Sequence, residues 1–291
     1  MSLDKLASFI ERHVDEDGEH ETAIPELALY RASSVTEHNA STYVPCLCVV
    51  AQGAKEIVLG GEPYRYDPSH SLLVSIDLPA TSRVVEASPK RPCLVARINL
   101  NLAVVGEMLA EHATAPTLKP GRALALAPMT PPLQDAVERL VALLRTPEDI
   151  RPLAPLILRE IMYRLLTGPQ GSRLRQIAST GAPAHRISKA IMWLKDHFTE
   201  PLIVEELAGR VGLAPSTLHL HFKNITAMSP LQYQKQLRLQ EARRLLLAES
   251  LDAASAAYRV GYESPSQFSR EYRRMFGAPP RQDVAAVKIG T

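Results

Sequence analysis

The chain has 291 residues, 46% of them apolar and 22% charged, with a formal net charge of +2. That texture is typical of ordinary globular chains of one large or two smaller domains, and no run of about 18 apolar residues is present to span a membrane. Cys46, Cys48 and Cys93 are its three cysteines, an odd and small set that argues against a disulfide framework and fits a reducing compartment.

The opening stretch, MSLDKLASFIERHVDEDGEH, is polar and acidic. It lacks the basic start and apolar centre of a secretory signal, so a cytoplasmic location is expected. Leu3, Leu6, Phe9 and Ile10 recur at helical spacing and predict a short amphipathic helix. From about 24 to 100 the texture changes to short runs rich in Val, Ile, Leu and Tyr, among them LALYRAS, CLCVVAQG, SLLVSID and CLVARINL. Such runs, spaced by turn residues, predict an all-β barrel or sandwich. Gly60-Gly61, between KEIVL and EPYRY, reads as a two-residue hairpin turn.

From 101 onward the apolar period becomes helical. NLAVVGEMLAEH, PPLQDAVERLVALLR and LAPLILREIMYRLLTG are the predicted helices; in the second, Leu133, Val137, Leu140, Val141 and Leu144 form one stripe. Two such helices could pack on the β-rich part or on a second copy of themselves, so a homodimer stays open. The stretch GPQGSRLRQIASTGAPAH, residues 168–185, is rich in Gly, Ser, Pro and Ala and reads as a linker. Beyond it the pattern is helical almost to the end. Residues 186–291 hold 15 Lys and Arg against 10 Asp and Glu, a surplus of five positive charges, whereas the rest of the chain is net negative. This asymmetry hints at a polyanionic partner for the C-terminal third.

That third contains an internal duplication. EELAGRVGLAPSTLHLHF runs parallel to SAAYRVGYESPSQFSREY, with Val211-Gly212 on Val260-Gly261, Phe222 on Tyr272 and one extra residue in the second turn. Each unit reads as a short helix, a glycine-marked turn and a second helix, the helix-turn-helix pattern. Leu207, Ala208, Val211, Leu218, Phe222 and Ile225 are expected to bury in the first unit; Phe268, Tyr272 and Met275 are expected to bury in the second. Thr217, His219, Leu220, Lys223 and Asn224 are left outward or partly so, as are Gln267, Ser269, Arg270, Arg273 and Arg274. The connecting LQYQKQLRLQEARRLLLAE is free of Gly and Pro. Eighteen or so helical residues span about 27 Å, close to one turn of B-DNA at about 34 Å.

These residues resemble the DNA-binding domain of the AraC/XylS transcription regulators. The likeness rests on LAGRVGLAPSTLHLHFKNITAMSPLQYQKQLRLQEARRLLL followed by VGYESPSQFSREYRRMFGAPP. The segment CVVAQGAKEIVLGGEPYRYDPSHSLLVSIDLPATSRVVEASP is similar to the cupin-like N-terminal domain of one branch of that family. The resemblance implies an α+β chain: a cupin-like β-barrel with flanking helices over 1–167 (barrel about 20–105, helices about 106–167), a linker over 168–185, and an all-α domain over 186–291 with two helix-turn-helix units joined by a long helix. It further implies that the second helix of each unit enters the major groove of double-stranded DNA. Carried onto this sequence, the base readers are Ser216, His219 and Leu220 in the first unit, and Ser266, Gln267, Ser269 and Arg270 in the second. Arg270 could pair bidentately with guanine and Gln267 with adenine. Thr217, Lys223, Arg273 and Arg274 then hold phosphates. Leu220 departs from the pattern, because relatives commonly carry Arg there. Leucine could touch a thymine methyl, or the first unit reads little.

Other chemistry finds weaker support. His219 and His221 point in different directions on a helix and do not form a shared metal site. The β-rich part offers only His70 on a strand and His38 before one, so neither a metal nor any other cofactor is expected. No phosphate loop, Rossmann glycine pattern or nucleophile elbow occurs, and no enzymatic turnover is expected. Cys46 and Cys48 alternate along a strand and share a face. Small buried hydrophobes are the plain reading of all three cysteines, with an electrophile-sensing thiol and a cysteine alkyl-transfer module as alternatives. Cys46, Cys48, His70 and Cys93 stand as effector-binding candidates. The expectation is a transcription regulator, with RNA polymerase as partner if it activates. A barrel serving assembly alone is the alternative to effector binding.

Overall fold

The computed structural model describes residues 3–111, 121–179, 182–249 and 251–289. Helix α1 (Asp4–Glu11) buries Leu6, Ala7 and Ile10, as its period predicts. Strands β1 (Gly18–Glu21), β2 (Leu27–Ala32), β3 (Asn39–Tyr43), β4 (Cys46–Gln52), β5 (Ala54–Leu59), β6 (Glu62–Tyr66), β7 (His70–Val74), β8 (Leu78–Glu86) and β9 (Cys93–Asn99) follow. Next come α2 (Leu102–Glu111), β10 (Leu124–Pro128), α3 (Pro131–Ala142), a 3-10 turn (Leu143–Arg145) and α4 (Pro147–Thr167). The remainder is helical: α5 (Gly171–Ala178), α6 (Pro183–Asp196), α7 (Val204–Arg210), α8 (Pro215–Thr226), α9 (Pro230–Ala248), α10 (Ala253–Arg259), α11 (Pro265–Phe276) and α12 (Pro280–Ile289).

The expected barrel is instead a pair of facing sheets. One has the order β1-β2-β9-β4-β7-β10 and the other β3-β8-β5-β6, each built from antiparallel pairs. The larger sheet is apolar on both faces, which explains why it stays open. Along β4, Leu47, Val49 and Ala51 join the core beneath α1, α3 and α4. Cys46, Cys48 and Val50 point the other way, into a core shared with the smaller sheet. A layer with helices on one face and a sheet on the other needs no closure to hide its apolar surface. The predicted hairpin at Gly60-Gly61 is present: both residues have positive φ, +60° and +87°, and they join β5 to β6.

Three further departures have physical reasons. β10 interrupts the region expected to be helical, pairing with β7 through Leu124–Val74 and Leu126–Leu72. Helix α4 starts at Pro147, ahead of the predicted start, and carries Pro152 and Pro155 internally. Both prolines are exposed, so the carbonyls they free can turn to water. The stretch read as a linker is largely α5, anchored by buried Leu174 and Ile177. Its residues 180–181, like His112 of the predicted 101–112 helix, lie outside the described residues.

Helices α7–α8 and the first part of α9 share one apolar core with the inner faces of the two sheets. The second half of α9, with α10 and α11, forms a separate core around Phe268 and Tyr272. Among the described residues no helix is long and apolar enough to cross a membrane.

Candidate functional site

In the first helix-turn-helix unit, Gly212 ends α7 with φ +66°, a backbone state that glycine adopts without strain. Pro215 then opens α8 at its first turn, where a missing N–H costs nothing. Leu218, Phe222 and Ile225 are buried on one side of α8. Ser216, His219, Leu220, Lys223 and Asn224 are exposed on the other, and Thr217 is half-buried. Leu220 is 59% exposed, an isobutyl group turned to solvent. His221 turns away from His219 and is half-buried.

The second unit repeats this geometry. Gly261 has φ +86° and packs so closely that a Cβ there would lie 2.1 Å from the Thr199 carbonyl oxygen. Ser264 caps α11 by accepting from Gln267 N at 3.3 Å. Phe268 and Tyr272 are buried and Met275 is half-buried. Ser266, Gln267, Arg270, Arg273 and Arg274 are exposed on the opposite side, with Ser269 half-buried beside them. Among the described residues Lys223, Arg270, Arg273 and Arg274 form no ion pair. Arg243, by contrast, is spent on the fold: it binds Asp283 through two bonds of 2.8 and 3.0 Å, and Tyr272 donates to the same carboxylate at 2.7 Å. Gln267 leans on Glu271 at 3.3 Å, an exposed contact that a better partner can displace.

The 19 residues of α9 span about 28 Å at about 1.5 Å per residue. A full capping box of Ser229 and Gln232 starts the helix. Leu231, the first apolar residue of the connecting stretch, is 56% exposed. Arg238 fixes the helix to the second unit, donating to the carbonyls of Phe198 at 2.6 Å and Gly261 at 2.8 Å.

The first unit and α9 are tied to the sheet region. Arg122 donates to the carbonyls of Lys223 and Asn224, and Ala123 N donates to Ile225 O, so the residues before β10 satisfy the last turn of α8. Tyr233 on α9 donates to Asp77 O at 2.9 Å while Lys195 on α6 pairs with the Asp77 carboxylate at 2.7 Å. Further along α9, Thr42 donates to Gln240 Oε1, and Arg243 donates to Asn39 Oδ1 at 2.8 Å. Asn39 and Thr42 belong to β3.

Those same β3 residues line a cavity of about 460 Å³ between the sheets, within the usual range for small-molecule sites. Its walls include Tyr30, Tyr43, Cys48, Lys55, Tyr66 and Arg97. Of the sequence-derived effector candidates, only Cys48 reaches this wall. Cys46 lies beside it, with the sulfurs 3.8 Å apart. Its hydrogen bond to Cys48 and its burial both push the Cys46 thiol up; burial pushes Cys93 up to about 11. His70 is away from the cavity, on the surface against Ser69 and Asp67. Among the described residues no cluster of three metal-ligating side chains occurs. Lys55, Arg97 and the three tyrosines were missed by the sequence reading. A usable signal existed: Lys55 shares the inward face of β5 with Ile57 and Leu59, where period two calls for an apolar residue.

Comparison with known proteins agrees with this architecture. Residues 23–173 match the family model for the AraC-type transcriptional regulator N-terminus, and residues 207–285 match a helix-turn-helix domain model. The HTH-type transcriptional activator RhaS of Escherichia coli O1:K1 / APEC is 32% identical over 146 residues, which is 50% of this chain and 52% of that protein. RhaS of Citrobacter koseri is 33% identical over the same shares. The chain thus spans about half the length of the curated relatives it matches. Among solved structures, apo ToxT from Vibrio cholerae strain SCE256 superposes with a TM-score of 0.58 at 11% identity, covering 92% of this chain and 98% of that one. Unsaturated fatty acid bound ToxT of the same strain gives 0.57 at 12% identity, covering 89% and 94%. With the N-terminal family model covering more than half of its length, the chain belongs to the AraC-type transcriptional regulators.

Proposed function

We propose that this protein is a sequence-specific DNA-binding transcription regulator controlled by a small effector held between its two sheets. The observation that carries the reading is the pair of recognition helices, each with a buried apolar side and an exposed polar side, joined by one uninterrupted helix. Their outward cations lack protein partners, which leaves them free for phosphates and base edges. Residues 186–286 act as the DNA-binding part and residues about 20–167 as the regulatory part.

Arg270 and Gln267 read bases in the second half-site, with Ser266 and Ser269 beside them. Lys223, Thr217, Arg273 and Arg274 hold phosphates. In the first unit Ser216 and His219 face the groove, and Leu220 makes a methyl contact or none. The effector acts by population shift: it favours one disposition of the units by its differential affinity for the two states, and by no more than that. β3 is suited to transmit it, because Asn39 and Thr42 face both the cavity and α9. The protein acts by binding, without turnover. The name of the RhaS relatives favours activation, with RNA polymerase as the partner.

A second reading, assembly through the N-terminal part, is favoured by Leu153, Leu156 and Tyr163, exposed at 40%, 64% and 44% along one side of α4. A homodimer burying that side is compatible with effector control. Selection of bound duplexes from random DNA tests the main reading. The expected result is two half-sites about one turn apart with the stronger consensus under the second unit. Recovery of no consensus would refute sequence-specific binding.

A further inference from the structure

The cavity between the sheets has an uncompensated charge. Three cations face it, and two are matched. Arg97 pairs with Glu19 at 2.5 Å, and Arg83 pairs with Glu56 at 2.9 Å. Lys55 differs. Among the described residues its side chain forms no ion pair and no hydrogen bond, and its Nζ rests 4.0 Å from the centre of the Tyr30 ring. Burial pushes this ammonium's pKa down, as expected for a charge taken from water without a partner.

The surroundings include hydroxyl groups that can donate. Burial pushes the phenol of Tyr30 up to about 12 and raises those of Tyr43 and Tyr66, so all three stay protonated near neutrality. The carboxylate in the wall, Glu19, is already held by Arg97. Buried charges in folded proteins are normally paired. A lone ammonium among hydroxyl donors, at the wall of a ligand-sized cavity, is half of an ion pair.

Resting on the effector reading above, we infer that this cavity binds a small organic monocarboxylate, with the carboxylate on Lys55 and the body against Tyr30, Val84 and Val95. The single unmatched cation sets the charge at one: a dianion would keep one negative charge uncompensated. A sugar or other neutral ligand could accept a hydrogen bond from Lys55 but would leave its charge uncompensated. The ammonium and the phenol hydroxyls can all donate to one carboxylate, whose two oxygens offer several lone pairs.

Calorimetric titration of the full chain tests this with hexanoate and benzoate, each set against its neutral amide, hexanamide and benzamide. At least one carboxylate is expected to bind wild type tenfold or more tightly than its amide. Lys55→Met should abolish that preference and Lys55→Arg should retain it. Equal binding of acid and amide to wild type, a comparison independent of any variant's folding, would overturn the anion assignment while leaving an effector cavity in place. Persistence of the preference in Lys55→Met would do the same to Lys55. Binding of neither series to wild type would overturn the monocarboxylate assignment, and the effector reading would then stand or fall on a thermal-shift screen of other metabolites.

Discussion

Replacing Arg270 by alanine removes a guanidinium that the folded chain does not use. The side chain is exposed and has no ion-pair partner among the described residues. Stability should therefore change by less than about 0.5 kcal/mol. Affinity for the selected operator should fall by about 1–3 kcal/mol, the usual cost of losing a bidentate base contact, which is roughly 5- to 150-fold. Preference at the contacted base pair should relax. The assay is fluorescence anisotropy at fixed salt on the operator and on single-base variants, with chemical denaturation alongside. Arg243→Ala is the contrast: it leaves Asp283 and Tyr272 without their guanidinium, so its loss of binding should come with loss of stability. The mirror test is Leu220→Arg, which places a guanidinium at the matching position of the first unit and should change the preferred base in that half-site. Unchanged affinity and preference for Arg270→Ala would refute base reading by the second helix. Identical selected sequences for wild type and Leu220→Arg would show that position 220 does not meet DNA.

Arg273→Ala should weaken binding evenly across sequences and lower the slope of log affinity against log salt by about 1, because a phosphate contact releases about one counterion; an unchanged slope would refute the assignment. Gly261→Ala combines left-handed strain with a Cβ 2.1 Å from Thr199 O, so it should cost more than about 1 kcal/mol in urea unfolding. Gly277→Ala has similar strain but open space around it, and should cost less; equal losses would contradict the close approach at 261. Burial raises the Glu271 pKa, but bonds from Lys235 at 2.8 Å, Tyr262 at 2.8 Å and Gln267 at 3.3 Å outweigh it and hold the carboxyl below its usual value. Stability from such a group is present above the unfolded value of about 4.3 and is lost as pH falls through the folded one. Wild-type melting temperature should therefore fall more steeply below about pH 4.3 than that of Glu271→Gln, and parallel curves would count against it.

The C-terminal units were legible because their frame is written twice. Gly212 and Gly261, Leu218 and Phe268, Phe222 and Tyr272 each impose the same local physics, and two copies separate frame from variation. The outward residues follow from the inward ones. The apolar strands β2, β4, β7 and β9 were legible as well, but not the way their sheet closes. That depends on both faces of β4 being covered, which a run of buried residues shows without saying by what. β10, LALAP, carries no period of its own and is a strand through pairing with β7. α5 has only two large apolar anchors, Leu174 and Ile177, in a segment whose Gly and Ser otherwise read as linker. The cavity was missed although part of it was readable: Lys55 on β5 and Arg97 on β9 both interrupt apolar faces at period two, beside Ile57 and Val95.

β3, which joins the cavity wall to α9, shows why an element can be hard to see in a sequence. Its sequence is NASTY, without an apolar alternation, and its burial pattern is exposed to half-buried throughout. As an edge strand it pairs only with β8. An edge strand offers unpaired backbone groups and needs cover, and α9 supplies it. Tyr233, Gln240 and Arg243 lie on one side of α9 and meet Asp77, Thr42 and Asn39 in turn. The sheet region is thus laid along the helix that sets the separation of the two recognition helices. Arg243 extends the contact: it joins Asn39 on the cavity wall to Asp283, which Tyr272 of α11 also binds. Apolar residues on β3 would bury firmly and hold one arrangement. Short polar ones exchange partners with water at a net cost of about 0.5–1.5 kcal/mol per bond, the scale on which a bound effector can shift an equilibrium. Under the proposed effector control, the polarity that conceals the strand in the sequence is the property that would let it respond to the cavity.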